Sequence, residues 1–224
     1  MLLLEGFMEK LFDVNNKFFT FMGKLFDLIV LNVLWVLTLV CFVGPACTGL
    51  YYAIAKNIRK DRDYATKSFF HSFKQNFKQA SVIGILQIVI GFGLWWCYQF
   101  ALAMDPNVTF SKIYFWAILV LIVLFIMMSI YVYPILSRFS MKTTAILKLA
   151  LYMSVRHPLT TIVGFAGIVI AIVYPALVFF SPLVLCVIGL YVLLLSFPME
   201  KALRKYMPKK EDADENEQEA WYYE

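Results

Sequence analysis

The feature that most limits what this chain can fold into is a set of long, uninterrupted apolar runs. Four are clear, at residues 82–104, 113–136, 159–180 and 183–199, and a fifth, 25–46, carries Asp27 near its start and Asn32 within it. About 20 consecutive apolar residues cross about 30 Å of hydrocarbon as a helix. Only helices and closed barrels satisfy their own backbone there. The runs are continuous rather than alternating, so they predict helices. The last two are separated by Ser181-Pro182, which predicts a tight hairpin or one run broken at Pro175 and Pro182. Composition agrees: 62% of the 224 residues are apolar and 16% are charged, against about 45–50% and about 25% in soluble domains. This balance excludes a soluble enzyme, a disordered chain and a secreted disulfide scaffold.

The expected fold is therefore all-α, a polytopic membrane helix bundle of about five transmembrane helices over residues 25–199. An amphipathic helix over 1–24 is expected before it. Leu4, Phe7, Met8, Leu11, Phe12, Phe18, Phe19 and Met22 recur there at spacings of three and four, opposite Glu5, Glu9, Asp13, Asn16 and Thr20. With acids at 5 and 9 and no basic stretch before them, the N-terminus does not read as a cleaved signal. Residues 200–224 are expected as a cytoplasmic tail, basic at first and then acidic and disordered, ending in Trp221-Tyr222-Tyr223.

Charge placement suggests orientation. Seven Lys and Arg lie in 47–81, four in 137–158 and five after Met199, whereas the two remaining connections hold only Lys112. The positive-inside rule puts the three rich segments in the cytoplasm, with the C-terminus inside and, for five spans, the N-terminus outside. A re-entrant first segment turning at Gly44-Pro45 is the alternative, since residues 1–24 carry three lysines of their own.

Two cytoplasmic segments are expected as interfacial helices. In 66–80, Phe69 or Phe70, Phe73 and Phe77 share one face, Lys67, His71, Lys74 and Lys78 another, and Gln75, Asn76 and Gln79 fill the rest. Such a face can lie on anionic lipid or enter a groove on a partner. Phe69, Phe70, Phe73, Asn76 and Phe77 are the candidate partner-binding residues. Between Arg138 and His157, Ile146, Leu149, Ala150 and Met153 form a similar stripe.

Little chemistry is visible. Spans two to five contain no charged residue, which argues against a proton relay. The intramembrane polar candidates are Asn32, Gln87 and Gln99, with Thr38 and Ser129, and interhelical hydrogen bonding is their default role. They could also line a path for a small neutral solute. Cys41, Cys47, Cys97 and Cys186 form no C-x-x-C, and His71 and His157 are far apart, so no metal or cofactor is expected. Hydrolase, metalloprotease and P-loop motifs are absent, and a non-enzymatic role is expected. The basic patch is explained by membrane orientation, so no nucleic-acid partner is expected. The lipid bilayer is the first partner, and small residues on the helices would permit a homodimer.

Several residues carry a resemblance to a known family. They are Asn32 and Trp35 in the first run, Gly44-Pro45-Ala46 leading to Leu50-Tyr51-Tyr52, the stretch from Ser68 to Ala80, Tyr133-Pro134 with Arg138-Phe139, and Leu147 to Ala150. The chain resembles, over about residues 10–205, the YesL-like family of small bacterial integral membrane proteins, whose function is largely undefined. Family members often carry Pro and Thr before Gly-Pro, where this chain has Cys41-Phe42-Val43. The resemblance implies the bacterial cytoplasmic membrane and association with carbohydrate ABC importers. It therefore implies an accessory role, docked on permease or ATPase subunits.

Overall fold

A computed structural model describes residues 17–39, 42–59, 64–105, 108–177 and 184–207. Among these residues every regular element is helical. They are α1 (Lys17–Leu39), α2 (Val43–Ala53, continued by a π-helical turn over Ile54–Ile58), α3 (Ala65–Gln75), α4 (Phe77–Ala103), α5 (Thr109–Leu136), α6 (Thr143–Arg156), α7 (Pro158–Leu177) and α8 (Val184–Leu203).

Three stretches are long and apolar enough to cross a membrane: Phe19–Leu39, Phe77–Ala103 and Thr109–Leu136. A fourth emerges if Thr143–Arg156 and Pro158–Ile170 are taken together, although they meet at 99°. In the most apolar windows of α4 and α5, only 17% and 11% of the residues are buried within the protein. Val82, Ile85, Val89, Phe92 and Trp96 on α4 all face outward. An apolar surface of this extent needs a solvent other than water. The chain is a membrane protein.

The expected boundaries shift in two places. Where the sequence predicts a break between 24 and 25 and one span over 25–46, α1 starts at Lys17 and ends at Leu39. Gly44, Pro45 and Ala46 form the first turn of the separate α2. Proline is tolerated there because first-turn N–H groups have no helical acceptor. Residues 1–16 of the expected amphipathic helix, and 208–224 of the expected tail, lie outside the described residues. The second shift is at 66–80, which is not one helix. Asn76 leaves helical geometry (φ −97°, ψ 5°) between α3 and α4, and its Nδ2 donates to the Ser72 carbonyl at 3.2 Å. Phe77 to Ala80 thus begin the long α4.

Packing falls into two connected cores. Leu28 and Leu31 of α1, Leu50 and Ile54 of α2 with its π turn, and Phe69 of α3 form one. Tyr131 and Ile135 of α5, Ile146, Ala150 and Met153 of α6, and Leu195, Met199 and Leu203 of α8 form the other. The α6 stripe keeps its expected helical spacing, but Ile146, Ala150 and Met153 are buried in this core and not offered to lipid or a partner, which corrects its expected interfacial role.

Glycines allow the closest helix crossings. A Cβ on Gly44 would sit 1.9 Å from the Ala80 carbonyl oxygen, and one on Gly84 would lie 3.0 Å from the Gly44 nitrogen. So α2 and α4 cross backbone to backbone, an approach open only to residues without a side chain. At Gly167 a Cβ would meet the Tyr191 ring at 2.0 Å, and the Tyr191 hydroxyl donates to the Gly164 carbonyl at 3.3 Å. These contacts lay α7 against α8 as a hairpin rather than one broken run.

Candidate functional site: an aromatic cavity beside a buried ion pair

Where α1, α2, α5, α7 and α8 meet, they border a half-open cavity of about 270 Å³. Trp35 reaches it from α1, Cys47 and Tyr51 from α2, Ser129 and Tyr133 from α5, and Tyr191 from α8. The remaining lining is aliphatic apart from Pro134. Pro134 lies inside α5. It removes one helical N–H and is tolerated in membrane helices because neighbours satisfy the freed groups. Ser137 Oγ donates to the Pro134 carbonyl at 2.7 Å.

Tyr51 connects the cavity to the most polar contact in the bundle. Its hydroxyl donates to Glu200 Oε1 at 3.0 Å. Arg138 approaches the same oxygen, with Nε at 3.0 Å and Nη2 at 2.5 Å. The Arg138 side chain is fully buried and that of Glu200 is 5% exposed. Residues from α2, the end of α5 and α8 are thereby joined at one carboxylate oxygen. Nearby, Arg59 Nη1 donates to the Ser196 carbonyl at 2.8 Å, and its guanidinium lies over the Phe197 ring. Charges so buried are tolerated only when paired and hydrogen-bonded.

A second polar chain runs along the α5 wall. Gln87 Nε2 donates to Ser129 Oγ at 3.1 Å, Ser129 Oγ donates to the Phe125 carbonyl at 2.8 Å, and the Tyr133 hydroxyl donates to Gln87 Oε1. Gln87 therefore makes the interhelical bond expected of it. Asn32 does not: its Nδ2 donates within α1 to the Leu28 carbonyl at 2.9 Å, and its buried Oδ1 has no hydrogen-bond partner. A side chain at Gly189 would collide with that amide. Gln99 is exposed on α4, away from the cavity.

The phenylalanine face of 66–80 is largely used inside the protein. Phe69 is fully buried, with its carbonyl oxygen 3.1 Å from where a Gly49 Cβ would stand. It is a core residue and is unavailable to a partner, which corrects its expected role. Phe73 stacks on Phe69, and Phe73 and Phe77 both pack edge-on against Phe42 of the α2 N-terminus. Phe70 remains 39% exposed. Asn76 caps the α3–α4 break.

Sequence reasoning missed the Arg138–Glu200 pair and Tyr51. Arg138 reads as one more cytoplasmic charge, and Glu200 falls one residue beyond the last apolar run. The available signal was an acid next to that run in an otherwise basic exit. Among the described residues no group of three or more His, Cys, Asp and Glu could hold a metal.

Residues 28–98 match a family described as "Protein of unknown function, DUF624". The chain is also similar to the "Uncharacterized protein YesL" of Bacillus subtilis (strain 168). The two are 25% identical over 160 residues, which cover 69% of this chain and 73% of that protein. No solved structure matches the chain. The family match runs from α1 into α4 and so includes Trp35, Cys47, Tyr51 and all of α3. Both matches support the kinship read from the residues, with a YesL-like family of membrane proteins whose function is unknown.

Proposed function

We propose that this chain is a non-enzymatic accessory or assembly subunit of a carbohydrate ABC importer, seated in a bacterial cytoplasmic membrane. The class of importer comes from the family resemblance. The observation that carries docking is the surface of α6 and α3. With Phe69 internal, Leu151, Tyr152 and Val155 on α6 and Phe70 on α3 remain exposed. They alternate with Lys148, Arg156, Lys67 and Lys74. Exposed apolar side chains rimmed by charge mark interaction surfaces. The reading places this face in the cytoplasm, with five spans, the N-terminus outside and the C-terminus inside. Co-purification in mild detergent tests it. Serine at Phe70, Tyr152 and Val155 should reduce recovery of permease and ATPase subunits without lowering folded protein. Unchanged recovery would sink this surface.

A second reading, an autonomous channel or transporter for a small neutral solute, is favoured by the cavity. It expects liposomes containing only this protein to release labelled glycerol or glucose. No release beyond empty liposomes would remove it.

A further inference from the structure

A second recess lies at the end of the bundle that carries Arg138, between the α3–α4 break and the turn from α5 into α6. It is a largely open cleft of about 730 Å³. One side chain ties its two sides together. Gln79 Nε2 of α4 donates to the Met141 carbonyl at 2.7 Å and reaches Thr143 Oγ1 of α6 at 3.4 Å. Those two contacts use both amide protons. Asn76, also in the lining, turns its amide donor to the Ser72 carbonyl.

The charge of the cleft is positive. Lys78 of α4 and Lys142 of the α5–α6 turn both line it, and both are exposed. Ser140 adds a hydroxyl. Lys142 is also the N-cap of α6, which no side chain caps, so the positive end of that helix adds to the field. Among the described residues the acids are Asp27, Asp105 and Glu200, and none of them lines the cleft. Membrane orientation explains why lysines lie at this end. It does not explain why two of them, from separate segments, share one recess. The lining also includes Val82, which is 59% exposed. Val82 starts an outward ridge of α4 that continues through Ile85, Leu86 and Val89 at helical spacing. The positive recess therefore opens onto the apolar surface of a membrane-spanning helix. A free anion would use only the recess. A molecule with an anionic head and apolar chains uses both.

We propose that this cleft binds the phosphate headgroup of an anionic phospholipid, held by Lys78 and Lys142, with its acyl chains laid along Val82, Ile85 and Val89. Basic pockets between membrane helices at the bilayer surface bind headgroups of this kind. A zwitterionic lipid brings its own ammonium beside the phosphate and gains less from the two lysines. Neither lysine belongs to the docking surface on α3 and α6. Either site can fail without the other.

The test is native mass spectrometry of the full chain in mild detergent, with phosphatidylglycerol or phosphatidylcholine carrying the same two oleoyl chains. Phosphatidylglycerol should bind about three- to thirtyfold tighter, as two lysines at a lipid surface provide. Lys78→Gln/Lys142→Gln should bring that ratio to about one. Lys201→Gln/Arg204→Gln removes the same charge from exposed residues outside the cleft and should leave the ratio as it was. Ser140→Glu keeps both lysines and sets a carboxylate beside them, so it should abolish the preference by a second route if the double lysine variant fails to fold. Soluble glycerophosphoglycerol, the headgroup without chains, should displace the lipid only at far higher concentration. Equal affinity for the two lipids in the native chain, a preference that survives Lys78→Gln/Lys142→Gln, or an equal loss in Lys201→Gln/Arg204→Gln would each overturn the proposal. Displacement by the soluble headgroup at the lipid's own concentration would overturn the assignment to lipid in favour of a free phosphate ester.

Discussion

At the residue scale, stability is concentrated in a few contacts that have no slack. Arg138 and Glu200 are buried against each other, and Tyr51 bonds to the same carboxylate oxygen. Removing one member leaves the other charge buried and uncompensated. Arg138→Met should therefore destabilise the folded chain by about 3–5 kcal/mol, read as a lower melting temperature in detergent. The double variant Arg138→Met/Glu200→Leu should recover much of that loss, because the buried charge then disappears altogether. A double variant no better than the single would mean that the pair does more than neutralise itself. Gly44 offers a sharper steric case. Its missing side chain is where the Ala80 carbonyl oxygen lies, and a backbone oxygen cannot rotate away. Gly44→Ala should separate α2 from α4 and lower thermal stability, whereas Gly93→Ala, with open space around it, should be silent. Equal melting temperatures for the two would refute the close crossing.

At the scale of elements, the corner between α6 and α7 combines a 99° bend with a histidine. The His157 ring nitrogen lies 3.1 Å from the Tyr206 hydroxyl, and its ring meets Tyr206 edge-on. Partial burial, followed by the nearby Lys205 and Arg156, pushes its imidazole below the ordinary histidine value. The neutral form is therefore the one the fold prefers. The contribution is fully present above the unfolded value of about 6.5. It is lost as pH falls through the lower folded value, where the unfolded chain takes up the proton more readily. Acidification through pH 6 should loosen the segment after α8, seen as faster amide exchange near Tyr206. His157→Gln should flatten that response, and an unchanged pH profile in the variant would assign it elsewhere.

The same scale shows what the sequence makes legible. The α4 and α5 runs are plain because their signal is local and long. The helical spacing of Ile146, Ala150 and Met153 is plain, but its destination is not: the stripe expected at an interface is buried inside the protein. Phe69 misleads for a physical reason. An amphipathic period gives the direction of a face and not its occupant, and here Gly49 leaves room for the ring to enter the protein's own core. Asn76 reads as one polar residue among several, until its backbone turn separates α3 from α4. The cavity is illegible in sequence because Trp35, Cys47, Tyr133 and Tyr191 come from four segments that the resemblance names only in part.

At the scale of the molecule, the question is which way the bundle faces. Arg59, Arg138 and Glu200 share one region with Tyr51 and Ser196. Lys142 and Lys148 belong to the turn and helix that follow α5 directly. The other end of α5 and the end of α4 carry aromatic side chains, with Trp95, Trp96, Phe110 and Trp116 exposed. That arrangement suits an aromatic interfacial belt. A charge-rich end opposite an aromatic end predicts that the two ends lie on different sides of the membrane. Single cysteines at Asp105 and Lys148, in a chain otherwise free of cysteine, test this directly. A membrane-impermeant maleimide on intact cells should label position 105 and spare position 148 until the membrane is permeabilised. The reverse pattern would invert the bundle and remove α3 and α6 from the cytoplasm, leaving the docking face nothing cytoplasmic to bind. Labelling of both positions on intact cells would mean that the α5 helix does not cross at all. Its apolar surface would then have to be covered by other copies of the chain rather than by lipid.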